Sequence, residues 1–386
     1  MKSKAKRMMM WKPWIFNCWL LVLIVFSNTE TFSKDNDKLT KTISKAYSTN
    51  KIKRLEIHNK YGDIILNNWD KDSVVVAITI AAFGKNEEAA ERLMKRTEVQ
   101  FDVVSFGVEV YTELKKSDGW LKDFWNEMSG YSQSIISKDQ LTIDFQVYLP
   151  EDLDLEITNK YGDVYIPDRS GATRLDLSNG NLKAEDMAGN FNLIFRFGNA
   201  DISMVHSGEV SLKSAELQME KANRLRIQSN SSEIDLGVVK QLKINSRTDK
   251  IVIEESHNLE GQSSFTKIRM RNLNGSMDLN TNYGAIIVDH VTSGFSEVLI
   301  LGKSTDMSLI FDHMAYFNAR VIAKEGKFEL PRNHGLKQVY TDGTEKFIKS
   351  TGGLGKLNSA PGEVNINAQG GKLKLEFAPF NASTQQ

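Results

Sequence analysis

Residues 155–166, LEITNKYGDVYI, contain the pattern from which most of this chain is built. Two stretches of alternating apolar residues flank the polar, glycine-containing pentapeptide NKYGD. The same pentapeptide occurs at residues 59–63 and again at residues 159–163, and weaker copies of the strand-bend-strand pattern continue towards the C-terminus. A pattern that returns in this way is typical of a repeat protein.

The spacing of apolar residues predicts a change of direction at each bend. Ile157 and Val164 lie seven residues apart, and Leu177 and Leu182 lie five apart. In a continuous strand one face returns only at even intervals, so an odd separation would put the second apolar residue on the opposite face. The chain must therefore bend between the two members of each pair if both face one core.

Glycine and asparagine are frequent at the predicted bends. We predict that the glycines are structural turn residues: Gly62, Gly162, Gly180, Gly198, Gly284 and Gly302. Glycine and asparagine tolerate the positive φ of a sharp turn better than other residues do. Between residues 217 and 271 such glycines are missing, which predicts less regular coils in that part of the chain.

One repeat of two short strands cannot bury its apolar side alone. Stacking each coil on the next buries that side and pairs the backbones as parallel strands. We therefore predict a mainly β protein, a parallel β-helix or β-solenoid with short two-strand coils and a small α/β insertion near the N-terminal end. An antiparallel β-sandwich or barrel is the alternative, because the strand-bend-strand pattern occurs in both.

Composition divides the chain into six predicted parts. Residues 1–27 combine a basic start with an apolar run at residues 14–26, which is shorter than the roughly twenty residues of a membrane-spanning helix and indicates a signal peptide. An uncleaved anchor is the alternative. The other parts are a polar linker (28–51), a first β coil (52–83), a non-repeating helix and hairpin insertion (84–150), the β-solenoid array (151–348), and a glycine-rich loop with the last coil and tail (349–386). We expect the insertion to cover one end or flank of the array.

Charge and motifs exclude several functional classes. The chain has 49 basic and 49 acidic residues, so it lacks the net positive charge expected of a nucleic-acid-binding protein, and we predict no nucleic-acid partner. The sequence contains no P-loop, dinucleotide fingerprint, nucleophile elbow or HExxH motif. We predict no catalytic residues, no metal and no cofactor. A polysaccharide-acting β-helical enzyme is the alternative, since stacked coils can bring carboxylates together from distant positions.

Four aromatic residues in the insertion are candidate binding residues: Trp120, Phe124, Trp125 and Tyr131. Aromatic side chains with a polar tip suit interfaces with a sugar, a lipid or a protein. The alternative is a short helix that packs its apolar side over an open end of the array.

Several motifs carry a family resemblance. They are the two NKYGD pentapeptides, the lead-in VYLPEDLDLEITNKYGDVYI, the stretch LDLSNGNLKAEDMAGNFNLIFRFGNADI and the closing GEVNINAQGGKLKLEF. In these motifs the chain resembles the bacterial adhesin domain family of exported β-solenoid proteins, which is akin to head GIN domain proteins. The resemblance implies a periplasmic, outer-membrane-surface or extracellular location and an adhesive or interaction role, and it supplies no catalytic residues.

We therefore expect an exported, non-enzymatic protein that binds or scaffolds at the cell envelope. Its partner, a protein or a glycan, is unidentified. No stable transmembrane span is expected after cleavage of the signal peptide.

Overall fold

The computed structural model describes residues 29–35, 38–115, 140–329, 337–341, 345–351 and 362–379. The amino-terminal part contributes β1 (Thr29–Asp35), β2 (Lys38–Ser48), β3 (Arg54–Lys60), β4 (Ile64–Asn68), β5 (Ser73–Phe83), α1 (Glu87–Arg96), β6 (Thr97–Val104), β7 (Gly107–Leu114) and β8 (Leu141–Leu149). The central part contributes β9 (Asp154–Lys160), β10 (Val164–Ile166), β11 (Thr173–Ser178), β12 (Leu182–Arg196), β13 (Asn199–Lys213), β14 (Glu216–Asn230), β15 (Glu233–Arg247), β16 (Lys250–Ser264), β17 (Lys267–Asn282), β18 (Ala285–Val291), β19 (Glu297–Lys303) and β20 (Asp306–Phe311). The carboxy-terminal part contributes β21 (Phe317–Lys324), β22 (Lys327–Glu329), β23 (Lys337–Thr341), β24 (Glu345–Thr351), β25 (Gly362–Gln369) and β26 (Lys372–Phe377).

The central strands form a stack of coils in parallel register. Leu182 of β12 lies opposite Ala200 of β13. Ala200 in turn lies opposite Leu217 of β14 on its other side. Each partner comes one coil later in the chain, so every coil rests on the preceding one. The predicted parallel solenoid is confirmed, and the antiparallel alternative is wrong for this part of the chain.

Each central coil turns corners within a single long strand. In β14 the residues Leu217 and Met219 are buried, then Ala222, then Leu225 and Ile227. The step from Met219 to Ala222 and the step from Ala222 to Leu225 are both odd, so the alternation of buried and exposed residues changes phase twice. The strands are longer than the sequence predicts because the short straight parts of a coil continue through these corners without a break.

The coil at the amino-terminal end is built from strands that come later in the chain. β3 pairs in parallel with β9 on one side and with β7 on the other. β4 likewise lies between β10 and β8. β5 then pairs antiparallel with β8, β2 with β5, and β1 with β2. The predicted helix is α1, which packs against β5 and β2, and the predicted hairpin is β6–β7.

The predicted polar linker at residues 28–51 is wrong where the structure describes it. β1 and β2 occupy Thr29–Asp35 and Lys38–Ser48, and β2 pairs with β5 along its whole length. Ile43 is the buried residue of β2, and most of its neighbours are half-buried. A strand with one buried apolar side chain has no apolar alternation to detect in the sequence.

The coil at the carboxy-terminal end is stacked out of chain order. Ile366 of β25 lies opposite Ile300 of β19 on one side and opposite Val321 of β21 on the other. β26 lies in the same way between β20 and β22. The coil that the sequence predicts to be the last is therefore inserted between two earlier coils, and β24 and β23 continue antiparallel beyond β21.

Candidate functional site

The NKYGD pentapeptide forms one corner of the stack, and most of its residues have a visible role there. Asn159 donates its amide hydrogen to the carbonyl oxygen of Gly62 at 3.0 Å, so it ties its own coil to the neighbouring one. The tyrosine bends the backbone, with a φ of 59° at Tyr161. The backbone N–H of Tyr61 donates to the carbonyl of Lys160 at 2.9 Å, which places the bends of neighbouring coils directly on each other.

The positive φ belongs to the residue before the glycine, contrary to the sequence prediction. The corner residues, as we call the residues with positive φ at this bend, are Tyr61, Tyr161, Asn179, Phe197, Ser214, Ser231, Thr248, Phe265, Tyr283, Ser304 and Glu325. Gly62, Gly162, Gly180, Gly198 and Gly284 each follow one of them. A Cβ at Gly162 would overlap the carbonyl oxygen of Gly62, so the glycine is needed for the close approach of two coils.

Gly302 is not a turn residue. It lies within β19, and the bend of that coil comes at Ser304, where φ is 50°. Most of the stretch between residues 217 and 271 is also more regular than predicted, because β15 pairs with both β14 and β16 without any shift of register. A shift occurs between β16 and β17, at Ser256 and Asn258. Other residue types replace glycine at the corners of this stretch.

A buried carboxylate takes the place of the glycine in one of these coils. Asp249 is 5% exposed, and its two carboxylate oxygens accept hydrogen bonds from two coils. Its Oδ1 accepts from the N–H of Ser232 at 2.7 Å. Its Oδ2 accepts from the hydroxyls of Ser229 and Ser246 at 2.6 Å each, and from the N–H of Arg247 at 3.0 Å. The carboxylate thus joins two coils from inside the corner.

A buried arginine holds the entry to the central array. Arg169 is 1% exposed, and its Nη1 donates to the carbonyl of Pro150 at 2.8 Å and to Oδ1 of Asn68 at 3.2 Å. Its Nη2 donates to the carbonyl of Leu153. Burial lowers the pKa of Arg169 to about 10, while the nearby carboxylate of Glu151 acts in the opposite direction. These bonds assign Arg169 a structural role that its sequence context did not indicate.

A groove of about 1130 Å³ crosses successive coils on one face of the array. Between its two rows of outward side chains lie inward-facing positions such as Phe191, Leu225 and Leu242. One row includes Asn190, Ser207, Arg224, Gln241 and Asn258, and the other includes Arg174, Asn192, Glu209, Arg226, Lys243 and Glu260. The groove therefore offers hydroxyl, amide, basic and acidic groups in regular succession.

Ion pairs between neighbouring coils organise the second row. Arg226 lies 3.0 Å from Glu209, and Lys243 lies 2.8 Å from Glu260. All four side chains are more than half exposed. Exposed pairs of this kind contribute only about 0 to 1 kcal/mol, so their charges can exchange partners at little cost.

The predicted aromatic site cannot be placed on this surface. Trp120, Phe124, Trp125 and Tyr131 fall within residues 116–139, outside the described residues.

Within the described ranges, no group of three or more His, Cys, Asp or Glu residues could hold a metal ion. Over the same ranges, no helix has the length and apolar character to cross a membrane.

Comparisons with known proteins return structures and no sequence families. No protein-family profile and no curated protein matches the chain. A "putative cell adhesion protein" from Clostridium sporogenes is 9% identical, with 88% of this chain and 100% of that chain covered and a TM-score of 0.20. A "putative adhesin" from Parabacteroides distasonis is 12% identical, with 69% and 96% covered and a TM-score of 0.34.

A third structure, a "putative adhesin" from Bacteroides fragilis, is 13% identical, with 70% of this chain and 96% of that chain covered and a TM-score of 0.27. The names of these three proteins agree with the resemblance found in the sequence motifs. At TM-scores of 0.34 and below, the likenesses carry no argument about what this chain does.

Proposed function

We propose that the chain is an exported, non-enzymatic interaction protein that binds or scaffolds at the cell envelope. The observation that carries this proposal is the groove, which repeats polar and charged side chains along the array. Neighbouring coils are one strand spacing apart, about 4.8 Å, so the groove presents donors and acceptors at a fixed interval. A regular row of this kind suits an extended polar partner such as a glycan or a peptide segment.

The array also suits a scaffold because its rigidity comes from the backbone. The residue pairs that join β13 to β14 run in unbroken parallel order, apart from one skipped position on each side of the mid-strand corner. The backbone of such a frame loses little freedom on binding, which favours affinity. The groove arginines Arg174 and Arg224 are exposed and lie three coils apart on this frame.

The first experiment locates the protein and tests the groove. We expect cell fractionation to place the chain with the envelope, and the purified protein to be retained by isolated envelope material. A variant with Arg174→Glu and Arg224→Glu should be retained less, because both arginines line the groove. The matched control, Lys221→Glu with Lys240→Glu, makes the same charge change at exposed positions outside the groove and should be retained like the unaltered protein.

Two outcomes would count against the proposal. Equal retention of the groove variant and the unaltered protein would show that the groove does not take part in binding. Shortening of a glycan chain by the purified protein would show catalysis and would favour the polysaccharide-acting alternative.

A further inference from the structure

Aromatic side chains recur among the corner residues. Tyr61, Tyr161, Phe197, Phe265 and Tyr283 all have φ between 54° and 70°, and we call these five residues the aromatic ridge. Phe197, Phe265 and Tyr283 are 51%, 55% and 48% exposed, whereas Tyr161 is half-buried and Tyr61 is buried. The ridge spans nine stacked coils, a length of about 38 Å at one strand spacing per coil. It follows the corner at which the groove-bearing face ends.

The backbone conformation of the corner does not by itself explain the exposed rings. A positive φ is unfavourable for bulky residues, and asparagine tolerates it better. Asn179 occupies the same corner position in one coil, so the corner accepts asparagine. Rings such as Phe265 that stay half exposed gain little from burial in return. Because serine and threonine adopt the same conformation at this corner in other coils, the backbone does not require an aromatic side chain there, and exposed aromatic rings are typical of a binding surface.

A row of basic side chains runs beside the ridge, each one residue before a corner residue. The row consists of Lys60, Lys160, Arg196, Lys213, Arg247 and Lys303. The Nζ of Lys60 lies 4.7 Å from the ring centre of Tyr61. Among the described residues, Lys160, Lys213 and Lys303 have no carboxylate within ion-pair distance. Arg196 is paired with Asp176 at 2.6 Å.

Carboxylates on the other side of the corner are already engaged. Asp63 accepts the N–H of Asp163 at 2.9 Å, and Asp163 accepts the N–H of Asn181 at 2.8 Å. Glu233 forms an ion pair with Lys250. Lys160, Lys213 and Lys303 therefore lie next to the ridge without a carboxylate of the described residues in direct contact, and cations in this position complement an anionic surface.

The orientation of the two stacked pairs of rings favours a lipid over a sugar. Tyr61 and Tyr161 stack with ring centres 5.6 Å apart and planes 10° apart. Phe265 and Tyr283 stack at 5.1 Å and 9°. The faces of these rings are turned towards each other along the stack, so ring edges point away from it. A sugar that binds by stacking needs a free ring face, whereas the boundary between water and lipid accepts rings edge-on.

We propose that the aromatic ridge docks the array on a surface of anionic lipid. The basic row would contact the phosphate groups, and the ring edges would enter the interfacial layer, where aromatic and basic side chains are favourable. This inference rests on the proposed location at the envelope and names the component that is bound there. The groove remains free for a second partner.

Vesicle sedimentation with the purified full chain tests the proposal. We expect the protein to sediment with vesicles of phosphatidylglycerol and phosphatidylcholine, less with phosphatidylcholine alone, and less again as salt is raised. The variant Phe197→Asn, Phe265→Asn, Tyr283→Asn should bind about ten-fold more weakly or worse, since interfacial rings favour the membrane boundary. Its melting temperature should be unchanged or higher, because asparagine suits a positive φ.

Two further variants distinguish the contributions of the aromatic rings, the basic charges and general hydrophobicity to vesicle binding. Replacing Lys160, Lys213 and Lys303 by Gln should also weaken binding about ten-fold or more, because each cation near an anionic surface contributes. The matched control, Ile65→Thr with Val238→Thr and Ile287→Thr, removes three exposed apolar side chains at strand positions that are not part of the ridge. This control should bind like the unaltered protein.

The proposal is overturned if the unaltered protein ignores anionic vesicles, if the control loses as much binding as the ridge variant, or if the ridge variant binds normally. Ridge-dependent binding to a soluble anionic glycan without vesicle binding would also overturn it. Retention on isolated envelope material, measured in parallel, shows whether the broader proposed function survives such a result.

Discussion

The backbone N–H of Asp163 donates to the side-chain carboxylate of Asp63 at 2.9 Å, although the two residues are 100 positions apart. The same contact recurs on both sides of this pair. Asp63 N–H donates to Asp144 at 2.9 Å, and Asn181 N–H donates to Asp163 at 2.8 Å. The aspartate that ends NKYGD is therefore a hydrogen-bond acceptor that fixes the position of the next coil.

Replacing Asp63 by Ala should lower the free energy of unfolding by about 1 kcal/mol, because the N–H of Asp163 loses its acceptor. Asp63→Asn keeps an oxygen at that position and should cost less. Chemical denaturation of the two variants measures the difference. Equal losses of stability in the two variants would mean that the charge of Asp63, and not its hydrogen bond, stabilises the corner.

Gly162→Ala should destabilise the protein by about 2 to 3 kcal/mol, because the new Cβ overlaps the backbone of the neighbouring coil. Gly294→Ala is the matched control, since a Cβ there meets no atom within 4 Å. The control should stay within about 0.5 kcal/mol of the unaltered protein. Similar melting temperatures for both variants would contradict the close approach at Gly162.

Asp249→Ala should cost about 3 kcal/mol or more, because it leaves buried hydroxyls and N–H groups without an acceptor. The control is Asp235→Ala, at an exposed position of β15, the strand that precedes Asp249. Urea denaturation of the two variants gives the comparison. If Asp249→Ala unfolds no earlier than Asp235→Ala, the inner carboxylate does not stabilise its corner.

A chain that ends at residue 361 should associate. Without β25 and β26, the edges of β19 and β20 on one side and of β21 on the other lose their partner strand, and open edges pair with other chains. Light scattering after size exclusion should report oligomers. A chain that lacks only residues 380–386 is the control and should elute like the full chain; a monomeric form of the shorter chain would show that the neighbouring coils close over the gap.

The sequence predicted the local geometry of the stack well. Ile157 and Val164 are buried as the odd spacing requires, because inward positions repeat in every coil and each copy supports the same phase. The order of stacking was not predictable in this way. A coil such as β25–β26 has an apolar side that needs neighbours, but its pattern does not specify which neighbours.

The polar interior was missed for a different reason. Asp249 and Arg169 are charged residues near bends, and such residues are mostly exposed. Their burial depends on hydrogen-bond partners from other coils, which a single sequence does not reveal. The groove was missed as well, because it forms only when outward residues of successive coils line up. The binding role of Trp120 and its aromatic neighbours stays a prediction.

The insertion of the coil at residues 362–377 has a consequence for how the protein is made. A chain that emerges from its amino terminus presents residues 317–329 well before the coil that must separate them from residues 297–311 has been synthesised or translocated. The far end of the array can therefore reach its final arrangement only after nearly the entire polypeptide has emerged. Completion of this end is a late step that depends on the full length of the chain, so premature termination leaves the fold open however much of the array has already assembled.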